Sequence, residues 1–427
     1  MLDIQFIRDN PKEVAEKSRQ KGYDINVPKI LSLDTERRQL LQQVEDLRRQ
    51  RNELSGQTKG QKPSDEQVQR GKDLKDKIAE LEQKLKPVEH EFKTLLKQVP
   101  NMPLTEVPVG KSEAENVESY KVGQPIKFSF EPKNHWQIGE AKGWIDKERA
   151  AKVAGARFAY LKGDLVKLQF ALIQFTISTL TDEKILAKIV KDKGLKLSPK
   201  PFVPVLPPYM IRTDVYDAMD RLEPSEDRYK LDSDDLWLQG SAEHVLGSMH
   251  AREEISTEDL PLRYLGYASS FRREAGSYGK DTEGIFRMHQ FDKLEMESIT
   301  DSATGLDEHK FLIAIQEYLM QQLGIPYRVL EKCTADIGKP NAKGVDIDAW
   351  LPGQNQYRET HTADYMTDYQ SRRLNMLSAR QLVHTNDATA FALGRTMIAI
   401  IENYQTADGN VKVPEVLRPF MGATTEI

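Results

Sequence analysis

Two runs of apolar residues, spaced alternately three and four apart, constrain this chain more than any other feature. The first takes in Leu33, Leu40, Val44, Leu47 and Leu54, with Arg37 and Arg51 at the missing steps. The second takes in Leu74, Ile78, Leu81, Leu85, Val88, Phe92 and Leu95. Such spacing lays one apolar stripe along a helix, and two matched stripes can bury each other. Between them SGQTKGQKPSDE, from Ser55 to Glu66, is too polar to continue the seam, and Ser64 with Gln67 offers a capping box for the second helix. The spacing predicts an antiparallel coiled coil over about residues 30–98. At about 1.5 Å per residue each helix would run roughly 40 to 50 Å, more than one domain's core requires, so a projecting arm is expected. Pro87 should kink the second helix.

The tip of this arm gathers Arg48, Arg49, Arg51, Lys59 and Lys62 against Asp46 and Glu53. Such a patch suits an RNA backbone; a solvated coiled-coil surface or a dimerising element would have the same composition. Over all 427 residues the net charge is only −5, so no global basic field points to nucleic acid and any such partner must meet a local patch. The length suggests about two to three domains, and VPNMP, Val99 to Pro103, reads as the start of a linker. Cys333 is the single cysteine, which excludes a disulfide framework or a cysteine-built zinc site and suits a reducing compartment. Acidic Asp3 and Asp9 stand where a signal peptide needs an apolar core. With no apolar run of about 18 residues, a soluble cytoplasmic protein without membrane contact is expected.

In the remainder of the chain, Gly266 to Glu295 reads as a long hairpin: a strand from Tyr264 to Phe271, a loop punctuated by Gly276, Gly279 and Gly284, and a second alternating run from Ile285 to Phe291. Arg272 and Glu274 are two apart and share a face; Glu295, four past Phe291, returns to it. A guanidinium, two carboxylates and an aromatic plate on one surface suit a nucleotide. Elsewhere Leu165 to Val190 reads as one long helix, and FVPVLPPYM, from Phe202, as a proline-interrupted edge strand. Glu243 follows a short strand and a glycine, a place where a carboxylate is usually a cap. Phe311 to Leu323 reads as a helix, and Tyr327 to Leu330, Val345 to Leu351 and Tyr357 to Thr362 as strands. Glu359, His361 and Asp364 read as local hydrogen-bonding partners in preference to a transition-metal triad. A small-residue strand, Ala388 to Ala392, turns at Gly394 into an apolar helix with Arg395 in its first turn, where a cation opposes the helix dipole and calls for an anion.

Together these stretches resemble the seryl-tRNA synthetase family of class II aminoacyl-tRNA synthetases, over essentially the whole chain. FVPVLPP resembles the proline-bearing first class motif, FRREAGSYGK through HQFDKLE the arginine motif with its hairpin, and LGRTMIAIIENYQ the third motif. The heptad arm resembles the domain that grips the long variable arm of serine tRNA. The resemblance implies an α+β fold: an antiparallel sheet flanked by helices in a catalytic domain over residues 104–427, and an N-terminal tRNA-binding domain with its two-helix coiled coil over residues 1–103. It implies a homodimer joined through the first motif, acting as a serine–tRNA ligase. Serine and ATP would give seryl-adenylate, and the seryl group would pass to serine tRNA; whether selenocysteine tRNA is also charged stays open.

Carried over residue by residue, Arg272 would hold the ATP α-phosphate and stabilise the transition state, and Phe291 would stack on adenine. Arg395 would lie over the base or on the γ-phosphate, and Glu274 would accept from the adenine amino group. Arg273, Arg287, Met288, Thr360 and His361 complete the expected nucleotide contacts. Glu359 with Thr362 would bind the Mg²⁺ that accompanies ATP, while zinc is not expected. Glu243, next to Ser241 and Ala242, would take the serine ammonium, and Glu295 with Thr389 its hydroxyl. Three stretches depart from the family pattern: Ser241 stands for threonine, ETHTADY for a serine-rich run with Thr362 replacing the serine near the metal, and DATAF for N-G-S-G-L with Thr389 at the serine position.

Overall fold

The computed structural model describes residues 1–57, 63–275 and 281–427. It divides into two compact units, Met1–Met102 and Pro103–Ile427.

The first unit is built on two long helices, α1 (Val27–Gln57) and α2 (Asp65–Gln98). They run antiparallel: Lys29 pairs with Glu91 and Arg48 with Glu82. Val27, Ile30, Leu33 and Val44 of α1 are buried, as are Leu74, Ile78, Leu85, Phe92 and Leu96 of α2. Arg37, an intruder in the apolar seam, lays its guanidinium 4.8 Å over the Phe92 ring and pairs with Asp34, so its charge is satisfied at the edge of the stripe. The capping box forms: Gln67 N donates to Ser64 Oγ at 3.2 Å and Ser64 N to Gln67 Oε1 at 2.9 Å. Pro87 does not end α2, which continues through it to Gln98.

The second unit is organised by an eight-stranded sheet. Its strands are β1 (Val117–Val122), β2 (Val203–Val205), β3 (Leu262–Phe271), β4 (Gln290–Thr300), β5 (Tyr327–Glu331), β6 (Lys343–Leu351), β7 (Gln356–Thr367) and β8 (His384–Ala392). Their order is β1-β5-β6-β7-β8-β4-β3-β2. All neighbours are antiparallel except β2, which lies parallel to β3 at the edge, where Pro204 lacks no needed donor. Helices α3 (Asp164–Leu180), α4 (Glu183–Asp192), α5 (Gly305–Gln322) and α6 (Leu393–Asn403) bring apolar side chains to one face of this sheet. The core includes Leu168, Phe311 and Ile400 from the helices and Leu294, Met296, Ile347, Ala363 and Ala388 from the strands. Alternation then sends the intervening polar residues of β4, β6, β7 and β8 to the opposite face. Arg263 fastens β3 to α5 with a fully buried fork on Glu308, Nε–Oε1 2.6 Å and Nη2–Oε2 2.7 Å.

Two sequence expectations need correction. The apolar run Leu165 to Val190 is two helices, because Asp182 accepts from Lys184 N at 2.8 Å and caps the second. The second hairpin strand begins only at Gln290, so Ile285 to His289 is loop. Gly284 takes φ 66, and a side chain there would run into the His135 ring. No helix among the described residues is long and apolar enough to cross a membrane.

Candidate active site

On the polar face of the sheet opens a cavity of about 670 Å³, lined by Arg272, Glu274, Arg287, Phe291, Glu359 and Arg395 among others. Arg272 follows β3 directly. Its Nε donates to the Gly240 carbonyl at 2.9 Å and its guanidinium lies 5.5 Å over the Phe291 ring, which fixes the plane of the fork. Glu274 is not on the strand, as alternation had suggested: it sits at φ 54 beyond the strand end and accepts from Arg287 Nη1 at 2.7 Å. Arg395, in the first turn of α6, pairs with Glu359 at 3.0 Å and lies 4.6 Å over Phe286. Burial works to raise the Glu359 carboxyl, but Arg395, Lys332 and Arg272 outweigh it and hold it below its ordinary range.

Two β-bulges decide which residues reach this cavity. Asp348 pairs with Glu359 but Ile347 with His361, so Thr360 is an extra residue in β7. Past it the alternation inverts, and Glu359 and Thr362, three apart, both line the cavity. His361 is turned away: its ring packs 5.6 Å from that of Phe391, its Nδ1 lies 2.8 Å from Thr360 Oγ1, and burial lowers it to about 4. The same offset occurs in β8, where Leu294 pairs with Phe391 and Glu295 with Thr389, leaving Ala390 extra. Thr389 and Ala392 thereby share the cavity wall. Met288 and Thr360 also line it. Arg273, expected at the nucleotide, instead lies 4.4 Å over Tyr229 and donates to the Arg228 carbonyl.

Behind Lys293 and Thr389 lies a buried floor of different character. Ser241 Oγ stands 3.5 Å from Glu243 Oε2 and 3.4 Å from Glu295 Oε2, with Ala242 buried beside it. One carboxylate oxygen from each of Glu243, Glu295 and Asp387 lies within 4.8 Å of the others. Glu243 is not a cap: Arg221 Nε lies 2.8 Å from its Oε1. Burial favours the protonated form of Glu243, but Arg221 chiefly reverses this and holds it well below its ordinary range. Burial pushes Glu295 up to about 7, with Lys293, its ion-pair partner, opposing and Glu243 reinforcing. Burial, together with the carboxylates around them, drives Glu297 and Asp387 well above theirs.

The sequence reading had missed Arg221, Lys293, Glu297 and Asp387 as members of the site. Three of them were within reach, because Lys293 and Glu297 flank Glu295 at the strand period and Asp387 is two residues before Thr389. Arg221 carries no such local mark. Of the basic residues at the arm tip, Arg48 and Arg49 hold ion pairs with Glu82 and Asp46 and Arg51 is exposed. Lys59 and Lys62 lie outside the described residues.

Comparison with known proteins decides the family. Residues 1–103 match the seryl-tRNA synthetase N-terminal domain, and residues 228–404 the tRNA synthetase class II core domain (G, H, P, S and T). The serine–tRNA ligase of Thermodesulfovibrio yellowstonii is 39% identical, with 99% of each chain covered. The chain belongs to the seryl-tRNA synthetase family. The serine–tRNA ligase of Petrotoga mobilis, another member, is 40% identical over 99% of each chain. In three dimensions, the seryl-tRNA synthetase of Pyrococcus horikoshii, solved in complex with ATP, superposes with a TM-score of 0.87 at 37% identity, covering 100% of this chain and 99% of that one.

Proposed function

We propose that this chain is a serine–tRNA ligase that forms seryl-adenylate in this cavity and then loads tRNA. The observation that carries the reading is the station of Arg272. It bonds the carbonyl of Gly240, which adjoins Ser241 on the amino-acid floor, and lies over Phe291 on the nucleotide side. A bound ATP stacked on Phe291 and an amino acid seated at Glu243 would meet beneath this guanidinium. There the serine carboxylate attacks the α-phosphorus, pyrophosphate leaves, and Arg272 stabilises the charge that gathers on the phosphoryl oxygens. The ammonium rests against Glu243, and Glu295 with Thr389 reads the hydroxyl. In the second step the terminal adenosine hydroxyl of tRNA attacks the mixed anhydride and AMP departs, so catalysis is mostly positioning and electrostatics.

Glu359 and Thr362 present only oxygen donors to the cavity, the hard and sparse set that Mg²⁺ adopts beside phosphates. When bound there with ATP, Mg²⁺ would neutralise phosphate charge. The remaining nucleotide roles go to Glu274, Arg287 and Arg395, which the structure already holds in ion pairs. Residues 1–103 serve as the tRNA-binding domain, with Arg48, Arg49 and Arg51 on the RNA backbone. Dimerisation runs through the first motif. In support, Val203 and Leu206 on and after edge strand β2 are 55% and 80% exposed, an apolar edge suited to being covered. A cytoplasmic site of action accords with the single free thiol of Cys333.

Amino-acid-dependent pyrophosphate exchange tests the reading. Serine should far exceed threonine, and threonine should exceed alanine and glycine. Amino acids without the hydroxyl leave buried polar groups unpaired, a loss that can reach about 10⁴. Threonine keeps the hydroxyl, and Ser241 leaves room near its extra methyl. Alanine outpacing threonine, or threonine outpacing serine, would overturn the roles of Glu295 and Thr389.

A further inference from the structure

Arg221 reaches the amino-acid floor from outside the main sheet, on a turn held from several directions. Asp220, just before it, adopts φ 58, a left-handed conformation that costs energy for a residue other than glycine. The Asp220 carboxylate takes Lys339 Nζ at 3.0 Å and the Tyr369 hydroxyl at 2.8 Å, and Arg228 Nε donates to the Arg221 carbonyl at 3.1 Å. Behind the guanidinium stands Gly338, where a Cβ would lie 3.1 Å from Arg221 Nη1. The side chain so delivered is only 14% exposed, with Nε 2.8 Å from Glu243 Oε1 and Nη2 3.2 Å from Asp387 Oδ2. One rigid cation thus joins the small helix that carries Glu243 to the strand that carries Thr389.

We propose that Arg221 is a positioning residue for amino-acid selection, holding the Glu243 carboxylate in place beside Ser241 so that the floor offers one fixed anion to the substrate ammonium. The proposal rests on the reading of Glu243 as the ammonium acceptor. Glu243 faces Arg221 and Tyr216 from the segment before it, His244 at its side, Lys293, Glu295 and Glu297 from β4, and Asp387 from β8. Burial favours its protonated form, and Arg221, ahead of His244 and Lys293, is the chief group that outweighs burial and holds it well below its ordinary range, so losing this cation raises the carboxyl. An Arg221 that merely filled space would not govern how serine affinity depends on pH.

The test measures the serine KM in pyrophosphate exchange at saturating ATP, for the native protein, Arg221→Met, Arg221→Lys and Glu243→Gln, between about pH 6.5 and about pH 8.5. R221M should raise the serine KM at least about tenfold at the acid end, because a buried charge pair loses one partner. The ratio of R221M to native should then shrink severalfold as pH rises and Glu243 regains its charge, while the ATP KM stays within about twofold. R221K, which restores the charge without the fork, should fall between. E243Q should raise the serine KM across the range, and E243Q/R221M should be no worse than E243Q alone. If E243Q leaves the serine KM unchanged, the ammonium assignment itself fails. If E243Q raises it and R221M does not, the role of Arg221 alone fails. A rise in R221M that ignores pH would mean direct contact with substrate or lost packing, and overturns the proposal as well. Should a thermal scan show R221M unfolded, Arg221→Met with Asp387→Asn, which also removes the carboxyl that Arg221 Nη2 faces, carries the same comparison.

Discussion

The side of the cavity proposed for the nucleotide and the floor proposed for the amino acid are made of different materials. In the first, arginines and aromatic rings stand beside paired carboxylates at a partly exposed rim: Arg272, Arg287 and Arg395 with Phe286 and Phe291, and Glu274 and Glu359 as ion-pair partners. The second is rich in carboxyl groups and sealed, with Glu243, Glu295, Glu297 and Asp387 all buried and Arg221 and Lys293 set among them. A phosphate chain brings its own charge and water, so its receptor can be assembled from side chains at a rim. A small zwitterion must be stripped of water, so its receptor has to be charged before it arrives, and that charge is stable only when neighbouring groups enforce it. The rim therefore spends little on burial, while the floor needs a network.

Replacing Arg272 with Ala should produce the largest separation of the two sides. The activation rate should drop roughly a hundredfold or more, about 2.7 kcal/mol, with a smaller change in ATP affinity. Pre-steady-state adenylate formation checks this; a raised ATP KM with an intact rate constant would make Arg272 a ground-state binder. Next in size is the pH response of the floor. With Glu295 pushed up to about 7, its carboxylate form grows as pH rises through neutrality, and a cationic substrate next to it favours that form. The serine KM of the native protein should fall severalfold between about pH 6 and about pH 8, and Glu295→Gln should flatten the profile. A flat native profile would mean that Glu295 is already ionised when serine binds.

The smallest effect belongs to Glu297, whose carboxyl stands well above its ordinary range because of burial first and Asp387 second. A raised folded value contributes stability below the unfolded value of about 4.5, and that contribution is lost as pH climbs toward the folded value. Glu297→Gln keeps shape and neutrality, so its melting temperature relative to the native protein should increase with pH above about 5. A difference that shrinks with rising pH would show Glu297 ionised and paired. In that event the floor would resemble the rim in how it treats charge.

How much of this was legible in the chain follows the same division. The coiled coil was readable because a heptad is a local rule, and its capping box forms as spacing required. Arg272, Phe291 and Arg395 were readable because each stands at a strand end or helix start, where neighbours in sequence decide the environment. The break at Asp182 was missed because both flanking segments are apolar at the same period, and a single cap outweighs that continuity. Glu297 and Asp387 were missed although alternation names them, since two carboxylates facing each other across a sheet look improbable until a cation is found. That cation, Arg221, is separated by 166 residues in sequence from its partner Asp387, a distance over which no periodicity speaks.

The extra residues at Thr360 and Ala390 bear on how such a site can change over generations. Each works as a parity switch: everything downstream is rotated half a turn about the strand axis relative to everything upstream. Straightening the bulge with Thr360 retained would therefore be felt less as a local change than as an exchange of addresses, with His361 sent where Thr362 belongs. Point substitutions can retune the hydroxyls and carboxylates of these two strands one at a time, whereas a residue gained or lost among the paired positions beside either bulge would shift the whole set at once. The lengths of β7 and β8 should thus be inherited more strictly than their letters.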